Sequence, residues 1–239
     1  QRLSLKAMAN KISFMIILPT IYIYHVNRIA GRLNMNNLTI KQFMENLSTE
    51  APVPGGGGAS ALAGSLSAAL CSMVASLTNG KKKYAEYQCD IKRILNETSE
   101  IINNMQSLIN KDAEVFEPLS KAYGIPKDDP TRNEVLEQAL RLACSAPMEI
   151  LQEACKIVPI LEELTVKGSK IALSDVGVAA TMCQTAIQGG VLNVYINTRL
   201  MKDRVFAQKT DEQAQKICLE YIPRCEKVYK IVAEYLTTI

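Results

Sequence analysis

Ala51-Pro-Val-Pro-Gly-Gly-Gly-Gly-Ala-Ser60 leads directly into 61–78, a run of Ala, Ser, Gly and Leu that stops at Asn79-Gly80-Lys81-Lys82-Lys83-Tyr84. Two prolines and four glycines do not propagate a helix, whereas the residues that follow are mostly good helix formers. The junction reads as an exposed backbone loop that feeds a helix N-terminus, whose first N–H groups have no partner within the helix. Small side chains occupy nearly every face of that helix: Ala59, Ala61, Ala63, Gly64, Ser67, Ala68, Ala69, Ser72 and Ala75. Neighbouring backbones can approach it closely on several sides, so it is the expected centre of a helical bundle.

Helical periodicity extends outward from this segment in both directions, and no alternating strand pattern bounded by turn pairs accompanies it. Thr39 to Leu47 is a short helix with Ile40, Phe43, Met44 and Leu47 on one face, and Tyr84 to Tyr123 is a long amphipathic one with an expected kink at Pro118. Gly124 to Pro130 is a turn. Thr131, with Glu134 three residues on, has the spacing of a capping box for a helix to about Lys167, kinked at Pro147 and Pro159. After a break at Gly168 to Leu173, Ser174-Asp175 is positioned to cap a helix to about Lys202, and Asp211 to Leu236 forms the last, bent at Pro223. Long helices joined by short turns predict an all-α antiparallel bundle in one domain over residues 35–239.

Residues 1–34 read differently. They hold five basic residues (Arg2, Lys6, Lys11, Arg28, Arg32), no acidic ones, and the apolar run Ile12 to Val26, which at about fifteen residues is short of the roughly twenty that span a bilayer. We read them as upstream sequence outside the fold, with an interfacial or signal-anchor segment as the alternative. Without them the remainder carries 22 basic against 24 acidic residues, a net −2 that gives no reason to expect a nucleic-acid or membrane partner. Seven scattered cysteines with no Cys-x-x-Cys pair fit a reducing cytoplasm. The only histidine, His25, lies in the upstream segment, so the body has no residue for Ser-His-Asp or Cys-His catalysis, and no zinc site or other metal centre is expected.

Several residues carry candidate chemistry. The loop Gly55, Gly56, Gly57, Gly58 to Ser60 lacks the endings of nucleotide-binding loops, but it suits an anion or a close-lying flat ligand, or else serves as a plain rigid turn. Lys81, Lys82 and Lys83 complement a helix C-terminus and could also hold a polyanionic tail. Asp112 borders an apolar stripe with Leu108, Ile109 and Phe116, a setting that raises a carboxyl pKa and suits proton transfer; Asp175 is a second candidate with a structural use as a cap. Asn193 and Asn197, one turn apart, present their amides on one helix face with Gly189 and Ala186.

Pro54-Gly-Gly-Gly-Gly-Ala-Ser60, Ser72 to Thr78 with Gly80 to Tyr84, Asp112 to Phe116, and Ser174-Asp175-Val-Gly177 before Asn193-Val-Tyr-Ile-Asn197 occur in an order that closely resembles the cyclodeaminase/cyclohydrolase family. That family comprises the cyclodeaminase domain of formiminotransferase-cyclodeaminase and its stand-alone bacterial relatives, and the likeness covers about residues 38–235. One departure is Gly58-Ala59, where family members more often carry Ser beside Ala or Val.

The resemblance implies folate one-carbon chemistry on a tetrahydrofolate derivative, with no cofactor. The first expectation is a formimidoyltetrahydrofolate cyclodeaminase, with methenyltetrahydrofolate cyclohydrolase as the alternative and a non-catalytic folate- or protein-binding bundle as the rival class. It further implies Asp112 and Asp175 as the acid–base pair, the Gly55–Ser60 loop with Asn193 and Asn197 around the pterin, and Lys81–Lys83 on a polyglutamate tail. A homodimer is implied as well, with any formiminotransferase supplied by a separate protein.

Overall fold

The computed structural model describes residues 35–238; the readings of His25 and the Ile12 to Val26 run lie outside the described residues. Seven α-helices follow one another, with no strand among the described residues: α1 (Ile40–Leu47), α2 (Gly56–Thr78), α3 (Gln88–Tyr123), α4 (Arg132–Ala143), α5 (Ser145–Lys167), α6 (Leu173–Thr198) and α7 (Arg204–Thr237). The all-α expectation holds.

The small residues of α2 set the architecture. Gly56, Ser60 and Gly64 recur every four residues, forming a shallow ridge against which α6 lies antiparallel, with Asn193 over Gly56, Gly189 over Ser60 and Ala186 over Gly64. The Ser67 hydroxyl donates to the Ala179 carbonyl at 2.7 Å and pins the same contact in the buried interior. On its other flank α2 meets α3, where Met105 fills the space above Gly64. Behind α2 and α6 lies α5, whose Ile150, Leu151, Ile157 and Leu161 are fully buried, and α7 closes the far side of α6. Although α2 is long and apolar enough to cross a membrane by composition, it is packed between these helices.

Five details differ from the sequence reading, the first being that Gly56–Ser60, expected as part of an exposed loop, form the first turn of α2 with Gly57 and Gly58 buried. The helix expected from Thr131 to Lys167 divides at Cys144 into α4 and α5, which makes Pro147 the third residue of α5, a first-turn position where a missing N–H costs nothing. Thr131 does not cap α4; its hydroxyl and N–H both bind the Asp129 carboxylate, which holds the preceding turn instead. Ser174 and Asp175 do not cap α6, because a 3-10 turn, Lys170–Ala172, carries the helix start back to Leu173 and leaves Asp175 in the first turn. The last helix begins at Arg204 rather than Asp211, capped by Asp203, whose carboxylate accepts the Phe206 N–H at 3.0 Å.

Candidate functional site

At one end of the bundle the first turn of α2 meets the C-terminal parts of α3 and α6. Gly55 is the N-cap of α2 and has no side chain to offer, so the exposed N–H groups of the first turn need an acceptor from elsewhere. Asp112 of α3 supplies it: its carboxyl takes a hydrogen bond from the Gly58 N–H. The carboxyl lies flat on Gly57, where a methyl group would collide with all three of its terminal atoms. A glycine is required at 57 for close approach. Pro54 and Ile109 wall the other side, each within 4 Å of where a side chain at Gly58 would begin.

Burial dominates the electrostatics here. Loss of water around Asp112 pushes its carboxyl up from 3.8 to about 6, while the Gly58 N–H pulls in the opposite direction and is the weaker influence. A carboxyl that titrates near 6 can accept and return a proton close to neutral pH.

Asn193 adds an acceptor. Its amide nitrogen donates to the Gly189 carbonyl at 2.8 Å, leaving Oδ1 beside Gly56. Asn197 does not share the site surface: it is buried, with its amide nitrogen bound to the carbonyls of Asn193 and Ala143, tying α6 to the end of α4. Ser60 also points inward, its hydroxyl donating to the Gly56 carbonyl at 2.7 Å under Gly189. Both side chains are engaged by backbone carbonyls within this chain.

The remaining candidates lie at the other end. Gly56 and Thr78 are separated by roughly 33 Å of helix, and Lys81–Lys83 follow Thr78. Asp175 stands roughly 27 Å along α6 from Asn193. Within one chain, Asp112, Gly55–Gly58 and Asn193 come together, and Asp175 and Lys81–Lys83 are not part of that group. Ile109 was read in the sequence as part of the apolar border of Asp112, whereas Pro54 was missed as a wall.

A helical bundle with one desolvated carboxyl seated on a glycine-built helix start is the class that fold and site define. Residues 39–216 match the family model described as formiminotransferase-cyclodeaminase, and the chain belongs to that family. It is 34% identical over 200 residues to a methenyltetrahydrofolate cyclohydrolase of Methylorubrum extorquens, covering 82% of this chain and 96% of that one. It is 29% identical to the formimidoyltransferase-cyclodeaminase of Mus musculus over 76% of this chain, and it spans 34% of that longer protein. The crystal structure of a formiminotetrahydrofolate cyclodeaminase from Thermotoga maritima superposes with a TM-score of 0.77 at 29% identity, covering 84% of this chain and 98% of that one.

Proposed function

We propose that the protein is a folate one-carbon enzyme acting on the carbon held between two folate nitrogens, with Asp112 as its proton-transfer group. The observation that carries this reading is the Asp112 carboxyl, titrating at about 6 and held on the first turn of α2. Of the two reactions, we favour hydrolysis of 5,10-methenyltetrahydrofolate to the 10-formyl compound. The support is the 34% identity to a cyclohydrolase over nearly that protein's whole length. Water adds to the methenyl carbon while Asp112 takes its proton; the bond to N5 then breaks as the proton passes to that nitrogen. The net yield is the formyl compound and one released proton.

The likeness to the Thermotoga maritima cyclodeaminase favours a second reading on the same residues. There N10 attacks the formimidoyl carbon carried on N5, Asp112 delivers a proton to the departing amino group, and ammonia leaves to give the methenyl compound. Asn193 Oδ1 and the Gly55–Gly58 backbone would face the pterin in either case.

Near-ultraviolet absorbance of the methenyl compound separates the two readings. Accelerated loss of added methenyltetrahydrofolate, with no methenyl product from the formimidoyl substrate, supports the hydrolase. Accelerated appearance from the formimidoyl substrate with release of ammonia moves the assignment to the deaminase. No acceleration of either reaction removes both.

A further inference from the structure

Asn193, Gly189, Ser60 and Gly56 close a ring across the contact of α2 with α6. Two sides of it are hydrogen bonds: the Asn193 amide nitrogen donates to the Gly189 carbonyl at 2.8 Å, and the Ser60 hydroxyl donates to the Gly56 carbonyl at 2.7 Å. The other two sides are close approaches. A side chain at Gly56 would begin 3.1 Å from Asn193 Nδ2, and one at Gly189 would overlap the Ser60 hydroxyl. Each helix therefore gives the ring one polar side chain and one glycine, and the polar side chain of each lies over the glycine of the other.

Two features of the ring go beyond what helix packing asks. In an α-helix the Gly56 carbonyl already receives the N–H of residue 60, so the hydroxyl is a second donor on an acceptor that is satisfied without it. Gly189 stands well inside α6, where glycine is less stable than alanine. The three atoms nearest a methyl at 189 all belong to Ser60, so the glycine is there for the serine. The carbonyl that Ser60 holds is part of the Gly56–Gly57 peptide, and Gly57 is the surface on which the Asp112 carboxyl lies. A shift of that peptide moves the seat of the carboxyl.

We infer that Ser60 and Gly189 are positioning residues for Asp112: the hydroxyl, confined beneath Gly189, fixes the Gly56–Gly57 peptide and with it the surface that carries the carboxyl. The inference deepens the folate-enzyme reading above and rests on it for the effect on turnover. Ser60 touches no reacting atom and acts through the peptide. Gly189 acts one step further back, because a side chain there leaves the hydroxyl no room beneath α6. Through its bond to the Gly189 carbonyl, Asn193 is tied to the same turn of α6. One ring thus sets both the Asn193 amide and the proton-transfer carboxyl.

Turnover and a direct titration of the carboxyl test this in the full chain. In Ser60→Ala, kcat for whichever folate reaction the wild type catalyses should fall about tenfold with KM within about twofold, the scale of a sub-ångström misplacement. A carboxyl off its seat regains water, so an infrared titration of Asp112, its band assigned by its absence in Asp112→Asn, should move from about 6 toward 3.8. The pH–rate profile should move to lower pH with it. An unchanged titration and profile in Ser60→Ala overturn the inference. Gly189→Ala should reproduce both shifts, and a wild-type titration in that variant removes Gly189 from the role. The double variant Ser60→Gly/Gly189→Ala keeps the test open if Gly189→Ala does not fold, because the methyl then meets only the residue 60 backbone, at 4.0 Å. It should match Ser60→Gly in turnover and melt higher, whereas losses that add would show two independent sites and overturn the ring. Wild type that turns over neither folate, with the Asp112 titration still displaced in Ser60→Ala, would uphold the positioning and remove the catalytic reading, so the two failures are distinguishable.

Discussion

The two ends of α2 meet the same requirement by opposite means. At the C-terminal end Thr78, Gly80 and Tyr84 are matched by fixed partners. Thr78 donates to the Val74 carbonyl and accepts the Ser169 N–H at 2.8 Å, the Gly80 N–H binds Gln88 Oε1 at 2.7 Å, and the Tyr84 hydroxyl accepts the Lys170 N–H at 3.0 Å. At the N-terminal end the Gly58 N–H is met by a carboxyl that gains and loses a proton near pH 6. One end is closed by hydroxyl, amide and backbone groups, the other by a carboxyl that titrates near neutral pH. The difference marks which end of the helix can take part in proton transfer.

Replacing the titrating group gives the largest effect. In Asp112→Asn the amide oxygen can still accept from Gly58 but cannot take a proton, so turnover should fall about a hundred- to ten-thousand-fold. Stability should respond in the other sense. The folded-state carboxyl titrates at about 6 and its ordinary value is 3.8, so in that window the native protein holds a proton that the unfolded chain has released. Wild-type stability therefore declines as pH rises from 3.8 through about 6, and above that the loss is complete. Denaturant titrations of Asp112→Asn should show a flatter profile across this window and no loss of midpoint at pH 7. A steeply destabilised variant would instead make Asp112 a purely structural cap.

A comparison inside the glycine turn sharpens the same point. Alanine at 57 must displace the Asp112 carboxyl, whereas alanine at 58 meets Pro54, Ile109 and Asp112 Oδ2 at 3.6, 3.8 and 4.0 Å, ordinary contact distances. Both replace glycine within a helix, which by itself stabilises by about 0.5–1 kcal/mol. Gly57→Ala should therefore lose activity about a hundredfold, the scale of an ångström-sized misplacement, with its pH–rate profile displaced. Gly58→Ala should keep its activity and melt slightly higher. Equal effects from the two substitutions would show that the turn does not position the carboxyl.

Much of this contrast was legible in the sequence. The small-residue helix and the apolar border of Asp112 are local patterns that the structure places as they read, whereas the exposed loop expected of the Gly55–Ser60 junction is instead the N-cap and first turn of α2, with Gly57 and Gly58 buried. Two things were not legible. One is direction: Ser60 and Asn197 look like ligand-facing polar groups, but each finds a backbone carbonyl one turn back or on a neighbouring helix, and only tertiary packing decides that. The other is separation, because Asp175 and Lys81–Lys83 are joined to Asp112 by family likeness and not by any spacing along the chain. The helix starts at Leu173 and Arg204 were missed because a 3-10 turn and an aspartate cap lengthened the helices beyond their periodic cores.

At the anchored end the expected losses are in stability alone. Thr78→Val removes the acceptor of the buried Ser169 N–H and should cost about 1–3 kcal/mol, read from denaturant midpoints, with turnover per folded molecule unchanged. Gly80→Ala should cost less, about 1 kcal/mol. Nothing lies within 4 Å of the position a methyl would take, so crowding contributes nothing, and the cost comes from holding an alanine at φ 72°. Gly80→Asn, which tolerates that left-handed conformation better, should recover part of the loss. If Gly80→Asn and Gly80→Ala were equally destabilised, the cost would lie instead in the hydrogen bond from the Gly80 N–H to Gln88, and Gln88→Ala should then reproduce it.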